Sequence, residues 1–301
     1  MRLVARVPAT SANLGPGFDC LALALDLCNE VTIDTEAEHG VSWEGEGWDE
    51  LPTDGSDLVS RAMRRVAERS EEEFLPFHLH GVNRIPLERG LGSSSAAAVA
   101  GIALARAWLR LPEPVDRREL IFDVAAEFEG HPDNAAAAVY GGFTLATGSS
   151  PPVRLDPHPS LRPVLLVPER LRLPTDEARR ALPSQVPWSD AAFNVGRAAM
   201  VVVALTRRPE LLGEALEDRL HQDVRLGLVP EAREVYERLR SERVPVCISG
   251  AGPSLLAFEQ EGWTVPEVGP GWRILRVRPR ATGVEVDAAS PHLSPGRDRP
   301  M

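Results

Sequence analysis

The sequence predicts an α+β protein of two domains, on three observations. The chain has 301 residues, 43% of them hydrophobic, which is room for two ordinary cores. Segments with strand alternation and segments with helical spacing both occur in each half. Between the halves, residues 149–163 read "SSPPVRLDPHPSLRP" and carry five prolines, which marks a boundary. The expected units are an N-terminal domain over 1–150, a C-terminal α+β domain over 151–290, and a polar, Pro-rich tail over 291–301 expected to be disordered.

Each element has its reason. "RLVARV" alternates and reads as a strand; "EVTID" and "GVSWEG" follow as strands. Residues 45–57 are rich in Gly, Asp, Glu and Pro and read as a loop. "DLVSRAMRRVAERS" has apolar residues near helical spacing and a charged outer face, so it is a surface helix. "FLPFHLHGV" is a strand, residues 93–110 a small-residue helix, 117–129 another, and "YGGFTLAT" a strand entered through a Gly pair. Past the boundary come "VLLV" as a strand, helices at 175–182, 189–206, 209–217 and 230–241, and strands at "VPVCIS" and "WRILRVR".

Composition removes several function classes. The net charge is −11, from 33 basic and 44 acidic residues, so neither nucleic acid nor an anionic membrane is an expected partner. All 33 basic residues are Arg. A Walker A loop and a protein kinase both need a Lys on the phosphates, so neither device is available. Three cysteines, Cys20, Cys28 and Cys247, make no disulfide framework and no zinc site, and suit a reduced, cytoplasmic enzyme. The N-terminus lacks the long apolar core of a signal peptide. The longest apolar stretch, residues 96–109, is too short to span a bilayer and contains Arg106.

The most informative segment is "IPLERGLGSSSAAAVAG", residues 85–101. Gly90 and Gly92 open backbone conformations closed to other residues and permit close approach of a ligand. Ser93, Ser94 and Ser95 can cap the helix that follows. That helix offers unpaired N–H groups and the positive end of its dipole, which bind an anion without any lysine. A Ser hydroxyl there could also hold Mg²⁺, a hard ion that takes oxygen ligands. The segment alone fits equally a glycine loop before a packed Ala helix. Two further segments bear on the choice. In "VPATSANLGPGFDCLALALDL", residues 7–27, a strand ends at Pro8 and a polar loop carries Ser11, Asn13 and Asp19. In "CISGAGPSLLAF", residues 247–258, a strand runs through Ser249, Gly250, Gly252 and Pro253 into an expected helix.

In this order and spacing the three segments resemble the signature motifs of the GHMP small-molecule kinases, over nearly the whole chain. "GLGSSSAAA" is similar to that family's Gly-Leu-Gly-Ser-Ser-Ala-Ala phosphate loop, with one extra Ser. The resemblance implies the GHMP kinase fold: an N-terminal ribosomal-protein-S5-domain-2-like domain and a C-terminal ferredoxin-like α+β domain. Within the family, "TSANLGPGFDCLALAL", "EGHPDNAAAAVYGGFT", "PTDEARRALP" and "HQDVRLGLVP" look like its homoserine kinases.

That likeness implies ATP and Mg²⁺ as cofactors and L-homoserine as substrate, with the product feeding threonine synthesis. The triphosphate would lie over Pro86, Leu87, Glu88, Arg89, Gly90, Leu91, Gly92, Ser93, Ser94, Ser95 and Ala96. Mg²⁺ would be held by Ser94 and Glu127, with Glu129 ranked second. A zwitterion needs guanidinium groups for its carboxylate and oxygen acceptors for its ammonium. Arg179 and Arg225 match the family's carboxylate-binding arginines. Asn13 and Asp19 match its ammonium side. Thr175, His131, Asn134 and Gly250 complete the substrate set. Asn134 and Asp133 are expected beside the reacting hydroxyl, Asp133 as a candidate general base against a base-free route. Relatives often carry Asn-Leu where this chain has Asp57-Leu58, in the region that meets adenine. A homodimer is expected from relatives. The alternatives are another GHMP kinase acting on mevalonate or a sugar, a binding protein on the kinase scaffold, and an RNA-binding protein, which the charge disfavours.

Overall fold

A computed structural model describes residues 1–74, 76–111, 117–148 and 150–288. The tail expected over 291–301 lies outside the described residues. In chain order, β1 (Arg2–Ala12), β2 (Leu21–Asp34) and β3 (Gly40–Gly45) lead into α1 (Leu58–Arg69) and β4 (His78–Asn83). Next come α2 (Ser93–Trp108), α3 (Arg117–Glu129), α4 (Asp133–Tyr140), β5 (Phe143–Leu145) and β6 (Val153–Leu155). The second half runs β7 (Arg162–Pro168), α5 (Thr175–Arg180), α6 (Trp188–Thr206), α7 (Leu212–Ala215), α8 (Gln222–Leu228), α9 (Pro230–Ser241), β8 (Val246–Ile248), β9 (Leu255–Glu259), β10 (Trp272–Arg276) and β11 (Glu285–Ala288).

The strands form two sheets. The first has the order β11-β1-β2-β4-β3, with β5 joined to β2 and β6 to β5; the second has the order β10-β7-β9-β8. All pairs are antiparallel except β3 with β4. The long β1–β2 hairpin shifts register between Pro8 and Ala9, where proline cannot donate to the ladder. Helices α2 and α4 pack against β1 and β2, with α1 and α3 against α2. Small residues make this close stacking possible: Ala96, Ala100, Ala135, Ala136 and Ala138 are all fully buried.

One core runs through both sheets. On β7, Leu165 and Val167 face the cluster under the first sheet, while Val164 and Leu166 face a second cluster with Leu239, Val246 and Ile248. Burial on both faces explains why "VLLV" is an unbroken apolar run.

The α+β class holds, and two expectations are corrected. The chain leaves the first sheet after β6, not at residue 150, and β11 returns to pair with β1, so 151–290 does not form one separate unit. "LLAFE" is the strand β9 and not a helix, because its apolar run serves a strand buried on both faces.

Candidate active site

The three glycine-containing segments meet at the mouth of α2. Gly92 occupies its N-cap position with φ +69°, and no side chain caps the helix. The serines therefore do not cap it, contrary to expectation, because the capping position is taken by a residue without a side chain. The first-turn N–H groups are left open to a ligand. Both loop glycines are demanded by packing. A Cβ on Gly90 would stand 2.0 Å from Ser249 O, and one on Gly92 2.0 Å from Thr10 Oγ1. Ser249 Oγ lies 2.7 Å from Gly90 O, and Gly250 N donates to Ala12 O. Arg89 is buried and donates to three main-chain carbonyls, Pro168 O at 2.7 Å, Leu87 O at 2.9 Å and Glu169 O at 2.5 Å. It thereby fastens the loop to the end of β7 in the other sheet.

A cavity of about 280 Å³ opens on this loop. Asn13, Asp19, His131, Asp133, Asn134, Thr175, Arg179, Arg225 and Gly250, expected on the substrate side, all line it. The hairpin turn that brings Asn13 and Asp19 is unusual backbone: Asn13, Leu14 and Asp19 all have positive φ. Such conformations persist only where surrounding contacts hold them. Here Asn13 Nδ2 donates to Gly250 O and its Oδ1 accepts from Asp19 N.

Two arginines flank the cavity. Arg179 makes a bidentate pair with Asp19 at 2.7 and 2.9 Å, which raises its pKa above the ordinary guanidinium value. Arg225 is buried, and burial pulls its pKa down to about 10, so it stays charged at neutral pH. Its Nη1 donates to Gly250 O at 2.8 Å and approaches His221 Nδ1 at 3.3 Å. Both guanidinium groups lie over the Phe18 ring. Burial lowers the pKa of His221 to about 4, so it is neutral. Its Nε2 lies 2.7 Å from Gly15 O and so carries the hydrogen, leaving Nδ1 to accept from Arg225.

At the start of α4, Asp133 Oδ1 accepts from Asn134 N at 2.7 Å and lies 3.2 Å from His131 Nδ1. This contact raises the pKa of His131. Asn134 Oδ1 accepts from Thr10 Oγ1 at 2.7 Å.

The acid expected beside Ser94 is corrected. Ser94 Oγ donates to Glu129 Oε1 at 2.8 Å, whereas Glu127 is exposed and pairs with Arg69. Two residues along α3 rotate the side chain by about 200°. Glu129 faces the loop, so Glu127 faces away. The Ser95 side chain is buried and lines neither cavity, so only its first-turn N–H could serve a phosphate.

A second cavity of about 280 Å³ shares Glu88, Ser93 and Ser94 with the first. Leu87 and Ala96 line it with Val31, Trp43, Leu51 and Leu58, so it is the more apolar of the two. Asp57 also lines it; Oδ1 caps α1 by accepting from Ser60 N, and buried Oδ2 has no partner. The site is thus two-lobed, with a charged lobe and an apolar lobe on either side of the open helix end. Sequence reasoning did not single out Thr10, Phe18 or His221 as site residues; only the His-Gln-x-x-Arg pattern of "HQDVRLGLVP" pointed toward His221.

Comparison with known proteins gives the family. Residues 57–142 match the GHMP kinases N-terminal domain. A homoserine kinase of Streptomyces avermitilis is 45% identical over 290 residues, covering 93% of this chain and 94% of its own. The chain belongs to the homoserine kinases of the GHMP family. A second relative, the homoserine kinase of Streptomyces coelicolor, is 48% identical over 258 residues, covering 84% of this chain and 83% of its own. The crystal structure of the homoserine kinase from Cytophaga hutchinsonii superposes with a TM-score of 0.78 at 26% identity, over 95% of this chain and 97% of that one. No described helix is long and apolar enough to cross a membrane.

Proposed function

We propose that this protein transfers the γ-phosphoryl group of ATP to the side-chain hydroxyl of L-homoserine, giving O-phospho-L-homoserine and ADP, a step toward threonine. One observation carries the reading. The guanidinium groups of Arg179 and Arg225 and the carboxylate of Asp19 lie together in a single cavity that is also lined by the uncapped N-terminus of α2. That arrangement suits an α-amino acid that must present a hydroxyl to a polyphosphate. Mevalonate has no ammonium for Asp19, and a sugar has no carboxylate for Arg179 and Arg225.

The bound states follow from charge. The triphosphate lies along Glu88 to Ser94, on the first-turn N–H groups of α2, and the base enters the apolar lobe. Asp57 Oδ2, buried without a partner, is an acceptor for the exocyclic amine of adenine. The substrate carboxylate takes Arg225 and Arg179, and its ammonium takes Asp19. The ligand-free Asp19–Arg179 pair therefore opens, each partner exchanging the other for one end of the zwitterion. Phe18, under both guanidinium groups, keeps their planes oriented.

Ser94 and Glu129 would hold a Mg²⁺ ion, since a hydroxyl and a carboxylate are the hard oxygen donors it takes. When bound there it would neutralise charge on the transferred group. Catalysis in such transfers is mostly positioning and electrostatics. Asn134 is held through its Oδ1 by Thr10, and its amide nitrogen, whose protein contact is a long one to Asp133 Oδ1 at 3.4 Å, is available to the reacting hydroxyl. Asp133 engages His131 and Asn134 through Oδ1, which leaves Oδ2 as the atom able to take the hydroxyl proton.

The test is ADP release by the full chain with Mg²⁺-ATP and L-homoserine, and separately with mevalonate, galactose, L-serine or no acceptor. Turnover on L-homoserine alone is expected. Equal or faster turnover on another alcohol would overturn the roles of Arg179, Arg225 and Asp19.

A further inference from the structure

A cavity of about 580 Å³ lies apart from the active site and shares no residue with either of its lobes. It opens between the two segments that join the sheets, one running from β6 to β7 and the other from β10 to β11. Pro157, Leu161, Pro163, Val277 and Pro279 give it apolar walls, and a proline offers no N–H to a ligand. Its ionisable groups are Asp156, His158, Arg162, Glu259, Arg276 and Arg278.

Strand register explains why two of the arginines stand together. Arg276 on β10 is opposite Val164 on β7. Val277 N then donates to Pro163 O, and Pro163 has no N–H to return the bond, so the ladder ends there. One step further the same register sets Arg278 opposite Arg162, and both line the cavity. Like charges directly opposite each other in an antiparallel pair repel. No carboxylate of the cavity relieves them. Glu259 is opposite Arg162 on its other side, but its Oε1 accepts from Arg276 Nε at 3.0 Å and from Val265 N at 3.1 Å. Asp156 pairs with Arg154 at 2.8 Å. Among the described residues, the guanidinium groups of Arg162 and Arg278 have no hydrogen-bond or ion-pair partner. In a chain of net charge −11, two adjacent cations left without a carboxylate mark a place for an outside anion.

We propose that Arg162 and Arg278 bind a small organic dianion, a phosphomonoester or a dicarboxylate, at a second site distinct from the active one. Two guanidinium forks match the paired oxygens of either head group. His158 supplies a further donor. Ser160 N donates to His158 Nδ1 at 3.3 Å, so Nε2 carries the hydrogen, and Nε2 has no protein partner among the described residues. The proline-rich, donor-poor walls suit the carbon body of the ligand. Because the cavity shares no residue with the phosphate loop, its occupant does not compete with ATP.

The test uses the full chain saturated with Mg²⁺, a non-hydrolysable ATP analogue and L-homoserine, so that the anion positions of the active site are filled. Titration calorimetry with inorganic phosphate should then show one saturable site with Kd on the order of 1 mM, the strength of a few exposed charge-assisted bonds. Arg162→Gln and Arg278→Gln should each weaken it at least about tenfold, with circular dichroism and turnover unchanged. Arg243→Gln, at an exposed arginine after α9, removes the same charge elsewhere and should leave it as it was. Glycerol phosphate and succinate separate the two head groups: tighter binding of the first than of inorganic phosphate assigns a phosphomonoester, tighter binding of the second a dicarboxylate, and neither would overturn an organic occupant. Should a variant fold poorly, the wild type decides. Phenylglyoxal modification, mapped by mass spectrometry, should be slowed by phosphate at Arg162 and Arg278 and not at Arg243. No saturable binding below about 20 mM phosphate, equal binding by all three variants, or no protection of Arg162 and Arg278 would each overturn the inference.

Discussion

Arg89→Met removes the guanidinium that ties the phosphate loop to the second sheet. Arg89 is 7% exposed, and its three donors go to Pro168 O, Leu87 O and Glu169 O. A methionine fills part of the volume and leaves all three carbonyls without a donor. A hydrogen bond from a charged donor contributes about 1.5–3 kcal/mol net, and release of the buried charge offsets part of the sum, so the expected loss is about 3–5 kcal/mol. Arg89→Lys keeps the charge but lacks the fork that reaches three acceptors, and should lose about half as much. Urea unfolding at unchanged m-value reads the stability, and initial rates read the loop. KM for ATP should rise in both variants more than KM for L-homoserine, since the clamp holds the phosphate side. A loss below about 1 kcal/mol for Arg89→Met with KM for ATP unchanged would refute the clamp.

Three further outcomes follow from the same geometry. Glu129→Gln should lower kcat/KM by about 10²-fold or more, whereas Glu127→Gln should stay within about twofold, because Glu127 forms only an exposed pair with Arg69; equal effects would return Glu127 to the site. Asp133→Asn should lower kcat by roughly 10²–10⁴ if Oδ2 takes the proton, measured at saturating substrates; a loss under about tenfold would favour a route in which the phosphate itself accepts it. His221 has a folded pKa of about 4 against an unfolded value near 6.5, so the unfolded chain takes up a proton first on acidification. Its contribution to stability is complete above about pH 6.5 and declines, by on the order of 1 kcal/mol per pH unit, down to about pH 4. In His221→Gln that part of the acid slope should be missing from urea midpoints measured across the range.

Much of the fold was legible because its signals are local. Glycines and serines before an Ala-rich run mark the loop and α2, and alternation marks β1 and β2. What was misread depends on tertiary partners. "LLAFE" has no periodicity to distinguish strand from helix, and only the pairing of β9 with β7 and β8 decides it. β11 is four residues of mixed polarity, whose strand character comes from pairing with the edge of β1. For the site, residue types at motif positions located Asn13, Asp19, Arg179 and Arg225 at one cavity. Glu127 and Glu129 look alike in "AAEFEG"; choosing between them needs the rotational phase of α3, which its pattern of apolar residues leaves undefined. Arg89 reads as an ordinary loop arginine until β7 is seen beside it. The neutral state of His221 depends on burial that no local pattern encodes.

The central claim is that Arg179, Arg225 and Asp19 read both charges of a zwitterionic alcohol at the mouth of α2. It is tested most directly by kcat/KM for L-homoserine against two analogues that keep the hydroxyl, 4-hydroxybutanoate without the ammonium and 3-aminopropan-1-ol without the carboxylate. Each lost charge leaves a buried or half-buried partner unmatched, so both analogues should fall by about 10²-fold or more. An analogue within about tenfold of L-homoserine would contradict the claim for the charge it lacks.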